Sequence, residues 1–95
     1  MSTREKDEER ADEWAQNVVD AWGVNVRAGN AALLTEEFKS LFNLACRYRD
    51  AKRVAENHRQ FNVLTQREAA EEDRTLREFV KEFEAFHQRH CQSRQ

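Results

Sequence analysis

Three histidines and two cysteines are the residues of this chain with most chemistry to offer, and three of these five fall together in His87-Gln88-Arg89-His90-Cys91. Spacings of i, i+3 and i+4 put His87, His90 and Cys91 on one face of a helix, and imidazole and thiolate both bind zinc. A structural zinc site needs a complete ligand set. The neighbours that a hairpin brings to His87 are Phe38 and Glu37, so a single carboxylate would have to close the site. The competing reading is that histidines in a last helical turn favour the negative end of the dipole and lay their rings along an apolar stripe. The second reading leads: His87, His90 and Cys91 stand as outside candidates for a metal, and no cofactor is expected.

Catalytic constellations are scarcer still. Cys46 and His58 supply a thiol and an imidazole, but twelve residues along one helix amount to roughly 18 Å, far beyond the reach of a nucleophile and its base. The carboxylate runs Glu36-Glu37 and Glu71-Glu72-Asp73 fall in first turns of helices, where capping and the dipole account for them. The chain has no Gly-rich phosphate loop, no Ser-centred elbow and no HExxH stretch. A protein without enzymatic activity is the expectation.

A basic patch is the next candidate, because the net charge of −2 conceals an uneven distribution. Residues 1–37 carry −5, residues 38–67 carry +5 and residues 68–95 carry −2. Arg49, Lys52, Arg53 and Arg59 share one face of the middle segment, with Arg47 and Arg67 nearby and Tyr48 as the aromatic among them. Such a face can follow a nucleic-acid backbone, with affinity dominated by phosphate contacts, and duplex RNA is read in this way largely by shape. In outline, a basic helix around Cys46–Arg59 within a hairpin resembles the helical-hairpin dimers found among viral suppressors of RNA silencing. Against this, the overall charge is not the strongly basic footprint usual for such domains, and folding the hairpin sets Arg53 near Glu72 and Lys52 near Asp73. Part of the patch is then neutralised internally.

The elements that must position these groups are read from punctuation and periodicity. Proline is absent and glycine occurs twice, so the expected fold is all-α, one domain over residues 1–95. Helix 1 runs from about residue 3, where Ser2 and Glu5 form a capping box, to about 22, where Gly23 supplies a stop. Residues 23–34 read as a connector: Val24-Asn25-Val26-Arg27 alternates like an extended segment and Ala28-Gly29-Asn30 reads as a turn. Leu33 and Leu34 pin it to the core, with room for a helical turn at Ala31–Leu34. Helix 2 starts at Thr35 and runs to about 60. The capping box of Thr65 with Glu68, staple-flanked by Leu64 and Ala69, then starts helix 3, which runs to about 90. A joint at residues 61–68 between two helices of similar length makes them a long antiparallel pair.

Helix 3 has the cleanest stripe, with Ala69, Leu76, Phe79, Val80, Phe83, Phe86, His87 and His90 inside an arc of about 120°. The apolar face of helix 2 rotates, from Phe38, Leu41, Phe42 and Ala45 to Ala51, Val54, His58 and Phe61. A rotating stripe implies either wrapping or two different partners for its two halves; the second reading leads, with helix 1 or another subunit covering one half. Trp14, Val18 and Trp22 on one face of helix 1 read as core residues. The expected assembly is an elongated three-helix arrangement, dimeric through a four-helix-bundle-like core, with Phe38, Leu41, Phe42, Phe79, Phe83 and Phe86 at the partner interface. The expected function is a protein–protein interaction module, an adaptor or regulator. The alternative is a nucleic-acid binder using Arg47, Arg49, Lys52, Arg53 and Arg59. No membrane role is expected, because no apolar run approaches about 20 residues and the polar face of helix 1 is acidic. With no secretory signal and no cysteine framework, the expected compartment is the reducing cytoplasm.

Overall fold

Helices α1 (Thr3–Arg27), α2 (Glu36–Gln60) and α3 (Gln66–Cys91) make up the computed structural model. It describes the backbone of residues 3–30 and 35–91 and the side chains of residues 6–30 and 35–89. The capping box expected of Ser2 and Glu5, and the connector's turn at Ala31–Leu34 with Leu33 and Leu34, lie outside the described residues.

The end of α1 corrects one expectation. Gly23 does not stop the helix, which continues through Val24-Asn25-Val26 to Arg27. A glycine inside a helix costs only about 1 kcal/mol, and here the stop is made by the second glycine. Gly29 adopts φ 72°, and its N–H donates to the Val26 carbonyl at 3.2 Å while the Asn30 N–H donates to Asn25 at 2.9 Å. These paired bonds form a Schellman motif, in which a left-handed residue lets the chain turn back on its last carbonyls. Val24 and Val26 are exposed, so their alternation reflects solvent-facing helix positions.

The joint between α2 and α3 behaves as its residues require. Thr35 caps α2, its hydroxyl accepting from the Phe38 N–H at 3.1 Å. At the other end Asn62 takes the left-handed conformation with φ 57°. The Asn62 N–H donates to Arg59 at 3.2 Å and the Val63 N–H to His58 at 2.9 Å, a second Schellman motif with asparagine in place of glycine. Three residues on, the capping box is complete. The Glu68 N–H donates to the Thr65 hydroxyl oxygen at 3.1 Å, and the Thr65 N–H donates to the Glu68 carboxylate at 3.0 Å.

The three helices share a core of Ala11, Ala15, Val18, Leu41, Ala45, Tyr48, Leu76 and Phe79. Small residues on α1 let it approach closely, and aromatic rings fill the remaining space. Tyr48 stacks on Phe79, Trp14 stacks on Phe83 with centroids 4.4 Å apart, and Trp22 stacks on Phe42 at 4.5 Å. Such pairs contribute about 0.5–1.5 kcal/mol each beyond the area they bury. Thr75, also buried, satisfies its hydroxyl by donating to the Glu71 carbonyl one turn back. The result is elongated, 46 × 30 × 18 Å, and no described helix is long and apolar enough to cross a membrane.

Candidate protein-docking face

Each residue singled out by chemistry has a definite place. His87 stacks on Phe83 with nearly parallel rings 6.3 Å apart, while the side chains of His90 and Cys91 lie outside the described residues. Among the described residues no three His, Cys, Asp or Glu side chains come together as a metal would need. The neighbours expected around His87 are present at the same level of the hairpin: Phe38 meets Phe86, and Glu37 is paired with Arg89. Helix α2 is continuous from Glu36 to Gln60, which holds Cys46 and His58 about 18 Å apart along its axis. Desolvation pushes the Cys46 thiol above its ordinary pKa against the opposing charge of Arg49, the reverse of what an activated nucleophile requires.

The five basic candidates of α2, Arg47, Arg49, Lys52, Arg53 and Arg59, are dispersed, and the expected pairings need correction. The hairpin register is close to expectation, but the direction in which the side chains leave the helix is not. Arg53 does not reach Glu72; it pairs with Asp50 one turn back on its own helix at 2.6 Å. Lys52 does not reach Asp73; it pairs with Asp12 of α1, whose other carboxylate oxygen accepts from the buried Tyr48 hydroxyl at 2.8 Å. Burial and that bond raise the Tyr48 phenol far above its ordinary pKa. The cation that takes Glu72 is Arg59, at 3.1 Å. Arg47 opens onto a groove shared with α3, whereas Arg49 and Arg53 open onto a groove shared with Val19 of α1.

The apolar residues expected at a partner interface also fall differently within one chain. Leu41 and Phe79 are buried in the three-helix core, and Phe38, Phe42, Phe83 and Phe86 are half-buried against it. Trp22 covers Phe38 and Phe42, and Trp14 covers Phe83. Helix α1 therefore packs on part of the surface expected at the partner interface. Trp14 packs against the core as its shared face with Val18 implied, and Trp22 is half-buried on Phe38 and Phe42 at its margin.

What remains uncovered is the second half of α2. The named contacts between α1 and α2 run from Trp22 on Phe38 to Asp12 on Lys52. Beyond Lys52, His58 pairs with Glu68 and Arg59 with Glu72, both on α3. Ala55 is buried, yet Val54 is 36% exposed and Phe61 69%. Val63, just past the turn, is 57% exposed. Ala51, Val54, His58 and Phe61 follow one another at i, i+3, i+7 and i+10, one face of the helix. Ala51 and Val54 form the floor of the groove between α2 and α3, rimmed by Arg47 and Asp50 on one side and by Glu68, Glu71 and Arg74 on the other. The sequence marks Phe61 as part of this later stripe, but exposure decides its role, and exposure is visible only in the fold. Val63 lies beyond the helix and outside any periodic pattern, so only the folded turn shows that it is exposed.

The arrangement can bury apolar surface against another molecule, with charged residues to orient it. No protein-family model, curated protein sequence or solved structure matches the chain.

Proposed function

We propose that this chain is a non-catalytic protein-interaction module that docks a partner on the second half of α2 and the α2–α3 joint, through Val54, Phe61 and Val63. The observation that carries the proposal is Phe61, 69% exposed at the cap of α2. The turn around it is already complete in its backbone hydrogen bonds, and the ring lies outside the three-helix core. A large aromatic held on a rigid turn and left in water is typical of interface anchors, which cluster where an apolar centre can be fully desolvated.

The experiment is affinity capture from the native host with wild type, Phe61→Ser and Val63→Ser as baits of verified equal stability. A discrete partner retained by wild type and lost from both variants is expected. An identical set of retained proteins on all three baits would refute the proposal. The nucleic-acid reading has less support, since Lys52 and Arg59 are engaged in interhelical ion pairs and Arg47 opens away from Arg49 and Arg53. Its own test is a gel shift with duplex RNA and DNA across a salt series. Steep salt-dependent binding abolished by Arg49→Glu with Arg53→Glu would install it in place of protein docking.

A further inference from the structure

We infer that the partner segment seated on this face is a basic amphipathic helix, lying along the groove between α2 and α3 with its apolar side chains on Leu44, Val54 and Phe61 and its cations toward the acidic wall of α3. The inference rests on the docking face proposed above and specifies the chemistry of what fills it.

Geometry selects a helix. The cleft over Ala51 and Val54 meets a second cleft over Ser40, Asn43 and Leu44 at Arg47, which lines both, so one groove follows α2 and α3 with no α1 residue in its lining. Backbone groups along both helices are consumed within them, and the groove offers no edge to which an extended peptide could add itself. A segment lying on it must satisfy its own backbone, as a helix does. Leu44, Ala51, Val54 and Phe61 follow one another at i, i+7, i+10 and i+17, the spacing of a coiled-coil seam. At roughly 1.5 Å per residue that seam spans about 26 Å, the length of a partner helix of nearly five turns.

Charge selects the sign. The α3 wall carries Glu68, Glu71, Glu78 and Glu82 against Arg74 and Lys81, an excess of two carboxylates. Arg74 is shared, holding Glu71 at 2.6 Å and Glu78 at 2.9 Å, and Glu82 forms no ion pair among the described residues. The α2 wall sets Arg47 against Asp50. Asp50 also holds Arg53, which opens onto the groove shared with α1; crediting that cation still leaves the α2–α3 groove negative as a whole. A partner therefore gains by bringing lysines or arginines to the edge that faces α3. Nucleic-acid phosphates are repelled by the same wall. A second copy fits less well: each copy brings more carboxylates than cations, so two paired grooves keep an excess of acid in every register.

The test is a selection from a displayed library of helical peptides, each about 21 residues long, or some six turns. Leucines are fixed at the a and d positions of the heptad, and the flanking positions are randomised among Asp, Glu, Lys, Arg and Ser. The full wild-type chain is the target and Phe61→Ser is the counter-target, with circular dichroism showing that both are folded. The counter-target carries the same acids, so peptides held by charge alone are removed. The expected winners depend on Phe61 and carry Lys and Arg on one flank. Glu71→Lys with Glu82→Lys should weaken the best of them at least about tenfold, and exchanging its cations for glutamates should restore binding to that variant.

Phe61-dependent winners with neutral or acidic flanks, or basic winners indifferent to the charge reversal, would overturn the basic partner and leave the docking face standing. A Phe61-dependent dimer in sedimentation that competes with the peptides would overturn it in favour of a second copy. Failure to recover any Phe61-dependent binder would remove the inference, and continued capture of a host protein through Phe61 would show that the docking face itself survives.

Discussion

The two halves of α2 are built from similar residues and meet different fates. In the first half Phe38, Leu41, Phe42, Ala45 and Tyr48 lie beneath α1, and its rings stack on Trp22 or Phe79. In the second half Ala55 alone is buried, while Val54 and Phe61 face solvent. The difference does not lie in α2's own hydrophobicity. It lies in the face each residue occupies: Leu41, Ala45 and Tyr48 turn into the core shared with α1, whereas Ala51 and Val54 line the groove between α2 and α3 on which no α1 residue lies. One apolar stripe thus serves folding at one end and is left available at the other, with the rotation of the stripe marking where one use gives way to the next.

The contrast is sharpest in mutation energetics. Phe79→Ala, at a fully buried ring, should cost about 3–5 kcal/mol in a denaturant titration. Phe61→Ala should remain within about 0.5 kcal/mol of wild type. Comparable losses at the two positions would erase the distinction. The link between α2 and α3 comes next. Arg59→Ala leaves the buried Glu72 carboxylate without this ion pair, and with Arg59 itself half-exposed the expected loss is about 1–3 kcal/mol. If Arg59→Ala is neutral, another donor serves Glu72 and the second half of α2 is held less by this pair than described.

Smaller effects probe the turns that bound each half. Asn62→Ala must hold a left-handed backbone and should cost about 1 kcal/mol, whereas Asn62→Gly should be close to neutral. Gly23→Ala should gain about 0.5–1 kcal/mol in thermal unfolding, because an added Cβ meets nothing nearer than an Arg27 nitrogen at 3.9 Å. Loss of stability there would mean that the continuation of α1 past Gly23 is wrong. At the joint, the Thr65 N–H, helped by its hydroxyl and by His58, holds the Glu68 carboxyl below its ordinary pKa against desolvation. A depressed carboxyl contributes stability above its unfolded pKa of about 4.3 and loses it as pH falls through the folded value. The stability difference between wild type and Glu68→Gln should therefore be full near neutral pH and shrink in acid.

Much of this fold was legible because its local signals are strong and agree. Thr35, Thr65 and Glu68 cap as their types dictate, and the three-Phe stripe of α3 is turned toward the core. Gly23 misled because a glycine's modest helix penalty was outweighed by the turns on either side, and the decisive property of Gly29, a positive φ, is visible only in context. The pairings of Arg53 and Lys52 were missed for a different reason. Counting residues from the joint fixes their level along the hairpin, but not which of the two neighbouring helices each faces. The proposed docking face was half legible: periodicity isolates Ala51, Val54, His58 and Phe61, yet whether they are covered depends on how the three helices pack.

The most direct test of the central claim is the unfolding free energy of the triple variant Val54→Ser, Phe61→Ser, Val63→Ser. A stripe that is uncovered in the folded chain predicts a value within about 1 kcal/mol of wild type, with helicity unchanged. A loss of about 3 kcal/mol or more would show that these side chains are buried when the protein folds, and would contradict the account.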